Sequence, residues 1–181
     1  LRMAGAEIPD NYESRPLFDA EGAPADHREW VYTTRDTWDE VMECIRAVVD
    51  DRYIYIRNYF PQYPYDHDQI YTDFYRPALH VMRRLKAEGK LSPVESLFLA
   101  ESKPVEELYD YRADPDNVNN LAGDPACLDV LNRMRMRMDS RLSSFVDVRT
   151  RGGGEDGHHG LARLGLTSGA FNISGPIGHG G

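Results

Sequence analysis

The 181-residue sequence has only two cysteines, Cys44 and Cys127, far apart and in unlike contexts. That spacing excludes a C-x-x-C metal or redox motif, and two small buried hydrophobes are expected rather than a disulfide. Positive charge is also scarce: 21 Lys and Arg stand against 30 Asp and Glu, for a formal net charge of -9. A basic face for nucleic acid or an anionic membrane is therefore not expected. No long apolar run occurs, so no membrane span is expected. The opening residues, Leu1-Arg2-Met3-Ala4-Gly5-Ala6, hold neither an initiating methionine at position 1 nor the apolar core of a signal peptide, and read as a chain entered partway through. Chemical signatures are missing too: there is no nucleophile elbow, phosphate loop, H-E-x-x-H pair or spaced ligand set.

What is present can build one domain, since 41% of the residues are hydrophobic. Residues 1–28 mix Pro9, Pro16, Gly22 and Pro24 with acidic residues and read as an extended connector. Trp30-Val31-Tyr32, Met42 to Val49 and Tyr53-Ile54-Tyr55-Ile56 are rich in β-branched and aromatic residues, and Asp50-Asp51 punctuates the last two runs as a turn does. A hairpin of Glu43 to Val49 with Arg52 to Asn58 is expected. Trp38, Val41, Met42, Ile45 and Val49 also recur at helical spacing, so a helix over 38–49 is the alternative. Residues 59–75 read as an aromatic loop kept extended by Pro61 and Pro64. From Tyr75 to Gly89 the stripe Leu79, Val81, Met82 and Leu85 predicts a helix stopped by Gly89. Ser92-Pro93-Val94-Glu95 has the form of a capping box opening a second helix toward Leu99.

Glu107 to Tyr111 reads as a short strand, followed by two Asp-Pro pairs. A calcium loop starting at Asp114 fails on spacing: Val118 falls at its fifth position, Asn119 where glycine is needed and Pro125 in place of the bidentate glutamate. Instead Asp114 and Asp124 are expected to cap helices that begin at Pro115 and Pro125. The first helix ends at Gly123; the second runs to Leu142 with Leu128, Leu131, Met134, Met138 and Leu142 on one face. Residues 145–181, with most of the glycines and with His158, His159 and His179, read as a disordered Gly/His-rich tail.

Two stretches are candidates for binding. Arg35-Asp36-Thr37-Trp38-Asp39-Glu40 can grip an anion through Arg35 oriented by carboxylates, or be a surface turn with local ion pairs. The rings of Tyr59-Phe60-Pro61-Gln62-Tyr63-Pro64-Tyr65-Asp66-His67 can stack on a sugar, line an interface or pack on the loop's own domain. His67 and His80, each without a partner at helical spacing, read as satisfied structural histidines.

These residues, in order, resemble the C-terminal portion of a type I sulfatase of the kind found in bacteria that degrade sulfated polysaccharides. The resemblance rests on Arg35-Asp36 and Asp39-Glu40, Ile45-Arg46-Ala47-Val48, Arg52-Tyr53-Ile54-Tyr55-Ile56-Arg57-Asn58-Tyr59 with Pro61, and Glu88-Gly89-Lys90-Leu91. Its most specific piece is Pro104-Val105-Glu106-Glu107-Leu108-Tyr109-Asp110-Tyr111 with Asp114-Pro115 and Asn119-Asn120-Leu121-Ala122. It covers roughly residues 4–142, and Ala4-Gly5-Ala6-Glu7-Ile8-Pro9 resembles the connector after the catalytic core.

The resemblance implies an α+β subdomain over 29–144: a small antiparallel sheet packed with a long C-terminal helix, belonging to an alkaline-phosphatase-like enzyme that hydrolyses sulfate esters on a carbohydrate. It further implies that the formylglycine, made from cysteine in a C-x-P-S-R motif, and a calcium ion belong to an N-terminal catalytic domain. Neither Cys44, followed by Ile45-Arg46-Ala47-Val48, nor Cys127, followed by Leu128-Asp129-Val130-Leu131, fits that motif. No catalytic or metal residue is thus expected in this chain, and alone it is expected to be inactive. Arg35, Asp36, Tyr63, Tyr65 and His67 are expected to face the catalytic domain or the sugar, and the enzyme to be periplasmic or secreted. The alternative from another class is a non-catalytic module that binds a glycan or a protein. Strands that normally pack on a partner domain are also expected to expose apolar surface.

Overall fold

The computed structural model describes residues 4–144, apart from positions 11, 13, 20, 26, 39 and 40. The expected tail, 145–181, lies outside the described residues. Four strands, β1 (Trp30–Trp38), β2 (Val41–Asp50), β3 (Tyr53–Asn58) and β4 (Glu106–Asp110), form one sheet in the order β1-β2-β3-β4, with every neighbouring pair antiparallel. Between β3 and β4 lie α1 (Ile70–Tyr75), α2 (Pro77–Ala87) and α3 (Pro93–Phe98). A 3-10 turn, Pro125–Cys127, then leads into α4 (Leu128–Ser144). The expected α+β architecture, a small antiparallel sheet carrying one long helix, is what is observed.

The β2–β3 hairpin forms as its turn chemistry dictates. Asp50 Oδ1 accepts the amides of Arg52 (3.0 Å) and Tyr53 (2.7 Å), closing the reversal. Ile45 through Val49 then pair with Asn58 through Ile54. The helical alternative for 38–49 gives way because β2 is the second strand of the sheet, hydrogen-bonded on both sides, where its β-branched residues pack on a pleated surface.

Strand alternation sends Val48, Tyr55 and Leu108 to one face of the sheet, where they meet Leu131, Met134 and Met138 of α4 in a core closed to solvent. Burying each such side chain is worth about 1.5–3 kcal/mol. Ion pairs ring this core. Arg137 Nη1 donates to Asp50 Oδ2 (2.6 Å), Arg57 Nη1 to Asp139 Oδ1 (2.8 Å) and Arg135 Nε to Glu106 Oε1 (3.0 Å). Cys44 is a buried free thiol in β2, and Cys127 is a half-buried one packed against the core.

Four expectations need correction. Arg35 and Asp36 do not form a turn after a strand but lie within β1, because that strand runs on to Trp38 against Ile45 and Cys44 of β2. The end of the expected loop, 70–75, is helical, and the following helix starts at Pro77 rather than Tyr75, a proline lacking the amide that a helix interior requires. Gly89, at φ +66, follows the end of that helix as expected. No helix forms after Asp114. Its carbonyl accepts the Asn117 amide (3.0 Å) and its Oδ2 the Asn119 amide (2.7 Å), while Asn117 takes φ +52 and the Asn120 side chain ties the segment to Leu108 and Glu106 of β4. Short polar side chains have here outcompeted the helical backbone bonds. Asp124 does cap its turn, accepting the Ala126 amide at 2.9 Å, and the Ser92–Glu95 capping box is complete.

Candidate functional site

The sheet face opposite α4 carries a polar layer. Glu43 of β2 and Lys103, just before β4, form a buried ion pair; Lys103 has 0% and Glu43 1% of its side chain exposed. Glu43 lies inside the apolar run Val41–Val49, and a register slip between β1 and β2 at Asp36–Trp38 accompanies the burial of both Glu43 and its neighbour Cys44. His67 reaches the same carboxylate, with Nε2 3.6 Å from Glu43 Oε2, and that nitrogen is buried without a hydrogen-bond partner. Beside it, Glu107 accepts three bonds: from Asn58 Nδ2 (2.5 Å), the Tyr65 hydroxyl (2.5 Å) and the Tyr109 hydroxyl (2.6 Å). Burial first, and then the Glu107 carboxylate, push both hydroxyls above the ordinary tyrosine range, so both are donors at neutral pH.

This layer fixes the aromatic loop to the sheet. Tyr65 and His67 hold it from within, and the Lys103 amide donates to the Pro61 carbonyl at 2.8 Å. Asp66 points the other way, accepting a two-pronged bond from Arg83 of α2 at 2.7 and 2.8 Å. Tyr63 makes ring contacts with Phe60 and His67. His80, expected as a satisfied histidine, sits with Nε2 2.6 Å from the Asp73 carbonyl.

Where the loop ends, Gln69 meets the outer edge of the sheet. An open cleft of about 460 Å³ lies there, lined by the Thr34–Trp38 stretch of β1, Val41 and Gln69. Arg35 and Asp36 line it; Tyr63, Tyr65 and His67 do not. Asp36 is oriented by Arg46 of β2, whose almost wholly buried guanidinium donates to Asp36 Oδ1 at 3.0 Å and to the Ile45 carbonyl at 2.9 Å. Arg35 is exposed.

Sequence reasoning missed Glu43, Lys103, Glu107 and Asn58, which position the loop, and Gln69, which lines the cleft; Trp38 lies within a candidate stretch, but its ring was given no role. One usable signal was a glutamate inside an apolar strand run, since such a charge is buried only with a partner. Among the described residues, no group of three or more His, Cys, Asp or Glu is placed to hold a metal ion. Cys44 is sealed within the sheet, out of reach of a ligand.

The molecule is thus an α+β sheet-and-helix unit with an edge cleft and a buried polar layer. Over 120 residues, 66% of its length, it is 36% identical to the ulvan-active sulfatase of Formosa agariphila. The chain spans 20% of that relative's length. In fold it is similar to a protein from Bacteroides thetaiotaomicron assigned as a sulfatase, with a TM-score of 0.49 and 19% identity, covering 78% of this chain and 22% of that one. It is also similar to a protein solved with its substrate D-glucosamine-2-N,6-O-disulfate, with a TM-score of 0.45 and 17% identity, over 77% of this chain and 21% of that one. No protein-family profile matches the chain. The sequence is thus similar to part of a sulfatase, consistent with the C-terminal portion of such an enzyme. Among the described residues no helix is long and apolar enough to cross a membrane.

Proposed function

We propose that this chain is the C-terminal subdomain of a type I sulfatase that hydrolyses sulfate esters on a carbohydrate. The carrying observation is the 36% identity over 120 residues to an ulvan-active sulfatase. In this reading the formylglycine nucleophile and calcium belong to an N-terminal catalytic domain, against which the subdomain packs. Its own contribution is to bind and orient substrate: Arg35 and Asp36 at the sheet edge, with Tyr63, Tyr65 and His67 shaping the loop beside them. A guanidinium suits this task because its fork of donors matches the oxygens of a sulfate group. A polymeric substrate cannot enter a cell, which supports a periplasmic or secreted enzyme.

The test is kinetic. In the polypeptide that joins this chain to its catalytic domain, Arg35→Ala should lower kcat/KM on a sulfated carbohydrate by about tenfold or more, the equivalent of ~1.4 kcal/mol of transition-state binding. Unchanged kinetics would remove Arg35 from the substrate site. The 181-residue chain alone should release no sulfate above background, and turnover by it would overturn the division of labour. If the joined polypeptide releases no sulfate yet binds a glycan or protein, a non-catalytic interaction module replaces the sulfatase reading.

A further inference from the structure

The edge cleft holds two side chains that the packing of the fold does not use. Trp38, the last residue of β1, is 68% exposed, although an indole in water forgoes a large burial gain. Arg35 is exposed, and among the described residues no side chain holds its guanidinium. Residues three apart on a regular strand face opposite ways. The register slip at Asp36–Trp38 bends the strand end, and both side chains line the cleft.

The loop tyrosines cannot take Trp38's place as a platform. The Tyr65 hydroxyl is committed to Glu107, its ring lies against the Lys103 ammonium, and Tyr63 is engaged by Phe60 and His67. The other strongly exposed aromatic group, Phe74 with Tyr71 and Tyr75 on α1, has no part in the cleft. The cleft pairs an aromatic face with a guanidinium and with the hydroxyls and amide of Thr34, Thr37 and Gln69, and its size falls within the roughly 300–1,000 Å³ of small-ligand pockets. A pyranose ring with an anionic substituent asks for that combination. Its C–H face stacks on an indole, its hydroxyls need polar partners, and its charge needs a cation.

We propose that the β1 edge cleft binds one anionic sugar residue, with Trp38 as the stacking platform and Arg35 gripping the sulfate or carboxylate it carries. The carbohydrate class rests on the sulfatase reading above; the assignment of Trp38 rests on the cleft.

Calorimetry and tryptophan fluorescence on the full chain test it, with four probes: a sulfated disaccharide, a uronate-containing disaccharide, the desulfated neutral counterpart and inorganic sulfate. Trp30 and Trp38 are the two tryptophans, and Trp30 packs against the core, so the fluorescence response reports mainly Trp38. At least one charged disaccharide should bind saturably and change the emission, and comparison of the two tells whether sulfate or carboxylate is the preferred anion. Trp38→Ala should weaken that binding tenfold or more, and Arg35→Gln should abolish the preference over the neutral counterpart. Both variants should melt with the parent chain, since both side chains are exposed. Absence of saturable binding, or binding untouched by either variant, overturns the proposal. Inorganic sulfate binding as tightly as the sulfated disaccharide overturns the stacking role. Trp38 becoming shielded only in the joined enzyme, with no response to sugar, makes this face a protein interface and also overturns it. The two readings fail separately. Sulfate release by the joined enzyme with unchanged Trp38→Ala kinetics sinks the cleft alone, whereas saturable binding without sulfate release sinks the sulfatase reading alone.

Discussion

Lys103 shows how far a residue's environment can depart from its local sequence. Between Ser102 and Pro104 nothing marks it for burial, yet its side chain is closed to water against Glu43, with the Tyr65 ring 5.7 Å away. Desolvating an ammonium costs several kcal/mol, and only a well-placed carboxylate offsets it. Removing one partner is therefore worse than removing both. Lys103→Ala leaves Glu43 buried beside His67 and should cost about 3–5 kcal/mol, whereas the paired replacement Glu43→Leu with Lys103→Met should cost clearly less. Urea denaturation of the three chains measures the difference; equal midpoints for the parent chain and Lys103→Ala would show that the pair holds nothing. In the sequence, only its place inside an apolar run could have marked Glu43. Nothing marks Lys103 as its partner, because the two lie 60 positions apart and only the folded sheet joins them.

At the level of elements, the docking of α4 combines a legible part with a hidden one. The apolar stripe of Leu131, Met134 and Met138 predicts a helix face, and that face is the core. The acid–base contacts around it were not predicted. The sequence marks Asp50 as a turn residue, and it does hold the Arg52 and Tyr53 amides, but its other oxygen receives Arg137 from α4. Burial pushes the Asp50 carboxyl up, but those two amides and the Arg137 guanidinium outweigh it and hold the group below the ordinary aspartate range. Glu106 behaves likewise: burial raises it, and Arg135 and the Tyr55 hydroxyl lower it further. A group whose folded pKa lies below its unfolded value contributes stability that is present above the unfolded value and lost as pH falls through the folded one. Thermal melts followed by circular dichroism should therefore show a midpoint that declines as pH drops from about 5 to about 2. Asp50→Asn should start lower at neutral pH and decline less steeply. An acid limb as steep as that of the parent chain would remove Asp50 from the docking of α4.

Across the whole molecule, apolar surface is distributed unevenly. Strands were expected to carry the exposed apolar area, and β1 does so at Val31 and Trp38. More of it lies on the short helices: Ile70 and Phe74 of α1 are each 79% exposed, and Val94, Leu97 and Phe98 of α3 are also open. Ile70 and Phe74, one turn apart on α1, make an apolar patch of the kind that marks an interaction face. The isolated chain should self-associate as its concentration rises, and Phe74→Glu with Ile70→Glu should shift sedimentation toward the monomer. A parent chain that stays monomeric at high concentration would show that this face has no association tendency of its own.

The features that the linear pattern settled are those governed by near neighbours. A β-branched run before Asp50-Asp51 makes a hairpin, Asp124-Pro125 and Ser92-Pro93 start helices, and the methionine stripe makes α4, because propensity, capping and periodicity act over a few residues. The same rules failed at Asp114, where asparagine side chains competed for the backbone, and at Arg35-Asp36, where pairing with β2 carried the strand through a charged cluster. Which carboxylate meets which cation, and which aromatic is left for a ligand, depended on folding: Asp50 meets Arg137 across 87 positions, and Glu107 engages Tyr65 across 42. Such contacts follow from strand order and from the face each side chain takes, and these are properties of the assembled sheet rather than of any local run.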